Sequence, residues 1–438
     1  MNNWKSLYKI LQNQISKLKW HKEFYKNPKQ DFTRNRKLKL ETIINLLLCM
    51  EAGSLKDELY KYFDLNLDNP TASALIQQRQ KIKIAAFEWL LKKFTNKTRQ
   101  NKKYKGYRLL AVDGSSVPIS YDINDKETYI VQISNKQKEA KGYNAFHLSA
   151  VYDLLEHTYE DIIIQGEAKM NENGAFNDFV DKYNDEKAIF IADRGYESYN
   201  SFAHVIENKQ KFLIRVKDIH SKTSLTRSLN LKNQPGEFDI IINRILTPKQ
   251  TNEIKSQPEK YKFIPNNQRF DYLNKESPYY EIEFRIVRFK LSNGNYECIA
   301  TNLSNEEFSV EEIKELYNKR WGIETSFREL KYAVAMNAFH SKRRDLIKQE
   351  ILIKILFYNF SERVIQNIKP KQKKRKHKYQ INFTRAFHLI RLVLTKIKRG
   401  IKPPNIESIL EKEIEPVRPD RSSTRKVRHQ TPVFFIYR

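Results

Sequence analysis

Leu109-Leu110-Ala111-Val112-Asp113-Gly114 and Ala188-Ile189-Phe190-Ile191-Ala192-Asp193-Arg194-Gly195 are the two stretches that decide the fold. Each is a short, wholly apolar run that ends on an aspartate and leads into a glycine-containing turn. Runs apolar at every position predict strands buried on both faces of a sheet that helices cover. If the two strands are parallel neighbours, both carboxylates leave the sheet at one edge, where open α/β sheets gather their ligands. Taken singly, each aspartate reads equally well as a turn former or a helix cap.

Around these runs the pattern predicts further strands at 117–119, 146–152, 158–165 and 211–216, with a helix at 198–207. The region 217–295 reads as a β-rich insertion, with strands at 238–246 and 280–291 and a turn at Ser292-Asn293-Gly294. A strand at 297–303 follows. The first hundred residues read instead as helices at 4–18, 40–50, 55–63 and 72–94, the last with Thr71 as N-cap. That last helix carries Gln78, Arg79 and Lys81, amide and basic side chains that could meet DNA or form a solvated face.

A chain of 438 residues is long for one core, so two or three domains are expected. With 40% hydrophobic and 30% charged residues it is read as folded and soluble rather than disordered. No apolar run is long and uninterrupted enough to span a bilayer, and the first twenty residues read as a charged amphipathic segment, so a cytoplasmic protein is expected. Cys49 and Cys298 lie in apolar surroundings with no zinc or disulfide spacing, and are read as buried thiols.

The net charge of +28 favours a polyanionic partner. Residues 1–100 hold 20 Lys and Arg against 9 Asp and Glu, and residues 369–438 hold 20 against 5. The middle of the chain is almost neutral. Basic ends on a neutral centre suit a catalytic body whose flanks grip phosphate backbone, although a Lys-rich surface kept for solubility would also be basic. The run 370–378 reads as a basic loop.

Ser309-Val-Glu-Glu312 is a capping box and predicts a helix start. At about 100° per residue, Tyr317, Arg320, Glu324, Arg328 and Lys331 share one stripe beside a core face of Leu316, Ile323, Phe327, Leu330 and Val334. By spacing alone, Glu324 is either a site carboxylate or the i,i+4 partner of Arg320 and Arg328.

Tyr317-x2-Arg320-x3-Glu324-x6-Lys331 resembles the Tyr-Arg-Glu-Lys signature of one branch of bacterial insertion-sequence DDE transposases. Ala300-Thr-Asn-Leu303 and the two Asp-Gly contexts match in type and order, so the resemblance covers roughly residues 70–362. It implies an α/β, ribonuclease-H-like catalytic domain at 103–368, a helical DNA-end-binding domain at 1–102 and a basic region at 369–438. It further implies that Asp113, Asp193 and Glu324 bind two Mg²⁺ or Mn²⁺ ions, and that Tyr317, Arg320 and Lys331 hold phosphate. Arg328, Gln78, Arg79 and Lys81 are expected DNA contacts, and Trp321 is either packing or part of the site. The implied substrates are double-stranded element ends and target DNA, cut and joined by a homodimer, with a hairpin step carried over from that branch. A DNA-binding protein that no longer cuts, and a ribonuclease-H-like nuclease without strand transfer, are the alternatives.

Overall fold

Ten strands form one mixed sheet: β1 (Arg108–Ile119), β2 (Tyr129–Ile130), β3 (Tyr143–Asp153), β4 (Thr158–Gly166), β5 (Ala188–Ala192), β6 (Lys211–Val216), β7 (Phe238–Thr247), β8 (Tyr261–Phe263), β9 (Tyr280–Lys290) and β10 (Tyr296–Thr301). Their order is β2-β3-β1-β5-β6-β10-β9-β7-β8, with β4 also paired to β3. β1, β5 and β6 are parallel, β3 runs antiparallel to them, and β4, antiparallel to β3, again runs in their direction. The strands of the 217–295 segment extend this same sheet, joined to it through the antiparallel pair β10–β6. The structure is a computed structural model that describes residues 3–131, 142–221, 225–229, 231, 234, 236–370, 377–417 and 436–437.

Burial on both faces explains the all-apolar runs. Leu109, Ala111, Ile189 and Ile191 enter one apolar cluster, and Leu110, Val112, Phe190 and Ala192 enter another on the opposite face. The helices divide between the faces. Those concerned are α1 (Trp4–Lys17), α2 (Leu40–Cys49), α3 (Leu55–Tyr62), α4 (Ala72–Arg79), α5 (Ile84–Thr98), α6 (Glu172–Lys182), α7 (Tyr199–Glu207), α8 (Asn252–Ser256), α9 (Val310–Lys319), α10 (Trp321–Tyr332), α11 (Arg344–Gln366) and α12 (Phe383–Lys398). Phe176 of α6 and Phe202 of α7 cover the second face. Leu11, Ile43, Leu90, Ile323, Ile351 and Ile390 bring α1, α2, α5, α10, α11 and α12 into the first cluster. Each such side chain contributes about 1.5–3 kcal/mol by leaving water.

Local chemistry sets the helix starts. Asn3, Ser54, Thr71 and Ser198 each accept a backbone N–H of the following turn, and Ser309 with Glu312 forms the full capping box. α11 is buried nearly all round, and Lys354 inside it is accommodated because its ammonium donates to Ala335 O at 2.7 Å. Among the described residues no helix is long and apolar enough to cross a membrane. Cys49 and Cys298 are free and buried.

Three expectations are corrected. The turn at Asp113-Gly114 is absent, because β1 continues through it to Ile119. The cause is β3, which pairs along the second half of β1 with Asp113 opposite Ala150, whereas β5 ends opposite Val112. The helix expected over 72–94 is two helices, because tertiary pairing overrides propensity at the junction: Ile82 bridges Tyr25, Lys26 N donates to Lys81 O (2.9 Å) and Lys83 N to Phe24 O (2.8 Å). The helix from Ser309 is interrupted at Arg320. There the ladder tightens to i→i−3, with Arg320 N donating to Tyr317 O (3.0 Å) and Ile323 N to Arg320 O (3.1 Å). Of the basic run at 370–378, residues 371–376 lie outside the described residues.

Candidate active site

Val112 lies opposite Ala192 in the parallel pair, so Asp113 and Asp193 come next to each other at one sheet edge. They are held differently. Asp113 is fixed within β1 and its Oδ1 accepts from Gly114 N at 2.8 Å. Burial, reinforced by the Glu324 and Glu172 charges, raises its carboxyl to about 6 against the opposing effects of the Gly114 amide and Arg320. Asp193 stands just before the single turn Arg194–Tyr196 and its backbone carbonyl accepts from Tyr196 N at 3.0 Å, leaving the carboxylate out of the cap. Its Oδ1 accepts from Tyr317 Oη at 3.1 Å and has Arg215 Nη1 at 3.7 Å. Burial pushes the Tyr317 phenol well above its ordinary range, so it remains a neutral donor.

The Tyr317 bond ties the α9–α10 segment to the edge that bears the aspartates. One turn on, the buried Arg320 pairs with Glu324 Oε1 at 2.9 Å, its guanidinium 5.4 Å from the Tyr317 ring centroid and 5.0 Å from that of Trp321. The i,i+4 pairing open from spacing is therefore present, and Glu324 is also near enough to act on Asp113. Leu316, Ile323, Phe327, Leu330 and Val334 are buried as expected. Trp321 is 51% exposed, so it is not core packing. Lys331 is half-buried; burial pushes its ammonium down while the Glu167 charge opposes this.

Two expected DNA contacts lie elsewhere. Arg328 is exposed and lines a separate cleft with Asn382, Arg385 and Glu415. Arg79, expected on the surface, is fully buried: α4 packs against α11, where Arg79 Nη1 meets Glu350 Oε1 at 2.9 Å and Nη2 donates to Leu346 O at 2.8 Å. Gln78 and Lys81 do line an open cleft.

Sequence reasoning missed a second tier of residues. Glu172, the first residue of α6, lies against Gly114, where a Cβ would stand 2.5 Å from Glu172 Oε1 and 2.5 Å from His147 Nε2. A side chain there would have to push Glu172 and His147 aside. His147 is buried, with Nε2 3.1 Å from Glu172 Oε1 and Nδ1 3.7 Å from Glu167 Oε2, close for ion pairs though not aligned for hydrogen bonds. The register Ser116↔His147 places it there, and no linear spacing signals that.

Burial lowers the His147 pKa, but the two carboxylates outweigh it and bring it to about 9. Protonated His147 therefore favours the fold fully below pH 6.5, and that contribution is lost as the pH rises through about 9. Its upper size is on the order of 3 kcal/mol. Wild type should lose melting temperature relative to His147→Gln between about pH 6 and about pH 9.5; parallel curves would remove the ion pairs from the account.

Among the described residues no three His, Cys, Asp or Glu side chains stand together closely enough to hold a metal ion. The donor chemistry at the edge nonetheless suits a hard divalent cation, since it is carboxylate oxygen and the Asp113 carboxyl sits against like charge.

Two parallel strands presenting aspartates at one edge, with α9 bonded to Asp193 and leading directly into the glutamate-bearing α10, mark a carboxylate site on an α/β sheet. The chain belongs to the DDE transposases: the family model of the transposase DDE domain matches residues 104–360, more than half of it. It is accordingly an enzyme of DNA transposition, from a family that uses divalent metal ions. No curated protein matches the chain. A solved structure similar to it is a piggyBac transposase synaptic complex with hairpin DNA, at 12% identity over 97% of this chain and 88% of that one. The TM-score is 0.46, too low to carry an argument.

Proposed function

We propose that this transposase binds the double-stranded ends of its mobile element, cuts them and joins them to target DNA, with Asp113, Asp193 and Glu324 as the catalytic carboxylates. The observation that carries the reading is the Tyr317 Oη to Asp193 Oδ1 bond of 3.1 Å, which brings the segment bearing Glu324 to the edge shared by both aspartates. The three carboxylates would hold two Mg²⁺ or Mn²⁺ ions. When bound, such ions supply the positive charge that a phosphodiester displacement needs at the attacking and leaving oxygens.

The chain's own groups do the positioning. Arg320, Tyr317 and Lys331 hold backbone phosphate beside the carboxylates. The ribonuclease-H-like reading is supported by the order β4-β3-β1-β5-β6, with α6 and α7 as crossovers on one face. Residues 1–102 would recognise the ends, 103–368 would carry the chemistry and 369–438 would grip backbone. Two ends must be held at once for transfer, so we infer a homodimer in the synaptic complex. We assign the chain to the Tyr-Arg-Glu-Lys branch, and with it a cut-and-paste route through a hairpin, acting on the nucleoid in the cytoplasm.

Glu324→Gln keeps shape and removes charge. It should bind end DNA normally, reduce single-turnover cleavage to background at any Mg²⁺ concentration, and abolish the melting shift that Mn²⁺ produces in wild type without DNA. Cleavage at wild-type rate would remove Glu324 from the site, while parallel small losses in stability and binding would leave it a structural partner of Arg320.

A further inference from the structure

The junction that splits α4 from α5 creates a feature the catalytic edge does not use. Residues 24–26 pair with 81–83, and the chain then loops through 27–38 beside the end of α4. Between them lies a cleft of about 550 Å³ whose lining includes Lys29, Arg34, Arg36, Gln78 and Lys81. We infer that this cleft binds the phosphate backbone of duplex DNA. The inference rests on the reading that the chain handles DNA, and adds the surface by which it does so.

The loop is built rather than loose. Gln30 N and Asp31 N donate to Asn27 O at 3.0 and 2.8 Å, and Asn27 N donates to Asp31 Oδ2 at 2.8 Å. Phe32 adopts a left-handed backbone with φ 58°, an unfavourable state for an aromatic residue, and its ring packs 5.4 Å from that of Tyr25. Asp31 is the one acid in the lining; it is 5% exposed, and its carboxylate serves Asn27 and faces Lys81 Nζ at 4.0 Å. Lys29, Arg34 and Arg36 are exposed, and among the described residues they have no side-chain hydrogen bond or ion pair. Arg79, one residue past Gln78, turns inward to Glu350 and anchors the floor.

Four cations, one already neutralised acid and a polar wall suit an oxyanion more than an apolar ligand. Guanidinium forks match phosphate oxygens two at a time. Spread along a loop and a helix end, they fit a repeating backbone better than one small anion, and the cations outnumber the three amides of the lining, Asn27, Gln30 and Gln78.

The test uses the full chain with Lys29→Ala, Arg34→Ala and Arg36→Ala combined, all at exposed positions, and a scrambled-sequence duplex as probe. Affinity at physiological salt should fall roughly 10–100-fold, and the slope of log affinity against log salt should flatten by about 2–3. Arg34→Lys with Arg36→Lys should retain the slope. A charge-matched control, Lys255→Ala, Lys260→Ala and Lys275→Ala, should change it less. An unchanged slope in the first variant, or an equal change in the control, would overturn the cleft while leaving end cleavage by wild type, and so the proposed function, intact. Displacement of the duplex by inorganic phosphate beyond that by chloride at equal ionic strength would overturn it in favour of a small-anion pocket. Failure of wild type to bind any duplex would overturn cleft and function together.

Discussion

Asp113→Asn is expected to abolish cleavage and at the same time make the protein more stable. In the fold this carboxyl titrates at about 6 against an ordinary 3.8, chiefly because it is buried, with Glu324 and Glu172 adding repulsion. A carboxyl raised in this way favours folding only while protonated, so its contribution is intact below 3.8 and lost as the pH rises through about 6. Near pH 8 wild type bears the whole cost of the ionised group, on the order of 1–3 kcal/mol, and the asparagine bears none. The amide oxygen can still accept from Gly114 N. Urea unfolding with a chelator present should therefore place the variant above wild type at about pH 8, with the gap closing near about pH 4. A pH-independent gap, or a less stable variant, would remove the buried-charge account. Retained cleavage would remove Asp113 from the chemistry.

Arg79→Ala should be costly in the opposite sense, lowering stability by about 3–5 kcal/mol without a selective loss of DNA affinity. Arg79 Nη1 meets Glu350 Oε1 at 2.9 Å, and Glu350 also accepts from His340 N at 3.1 Å with His340 Nδ1 at 3.0 Å. Burial alone would raise the Glu350 carboxyl, but Arg79, His340 and Lys354 outweigh it and hold it near 2. Removing the guanidinium leaves a buried carboxylate short of its principal cation, which costs more than the pair itself contributes. The double variant Arg79→Ala, Glu350→Ala should be less destabilised than the sum of its parts, a coupling that chemical denaturation measures. Unchanged stability with weakened DNA binding would return Arg79 to the surface.

These two residues mark what the sequence made legible. The place of Asp113 beside Asp193 was readable because two apolar runs leading to an aspartate are local signals, and the start of α9 was readable from its capping box, although the break at Arg320 that puts Tyr317 and Glu324 on separate helices was not. Most strands were also found within a residue or two, β5 and β6 as apolar runs buried along most of their length and β7 and β9 by their alternation. Arg79 was not readable, because the partner that buries it lies 271 residues away and a basic residue at a helix end reads as solvated. His147 and Glu172 escaped for the same reason: cross-strand register and the packing of α6 over Gly114 bring them together. The break between α4 and α5 was hidden by good helix formers on both sides, which tertiary pairing overrode.

β10 is seamed to β6 along one side and carries β9, β7 and β8 on the other. β9, β7 and β8 thus lie outboard of β10, yet α7 ties the same segment back: Asn200 Nδ2 donates to Asp271 Oδ2 at 2.9 Å, His204 Nε2 stands 2.9 Å from the same oxygen, and Tyr280 Oη donates to Glu207 Oε1 at 2.8 Å. A change in those strands therefore reaches α7, the helix that follows the turn at Asp193, so the outboard segment and the reaction centre share one buttress.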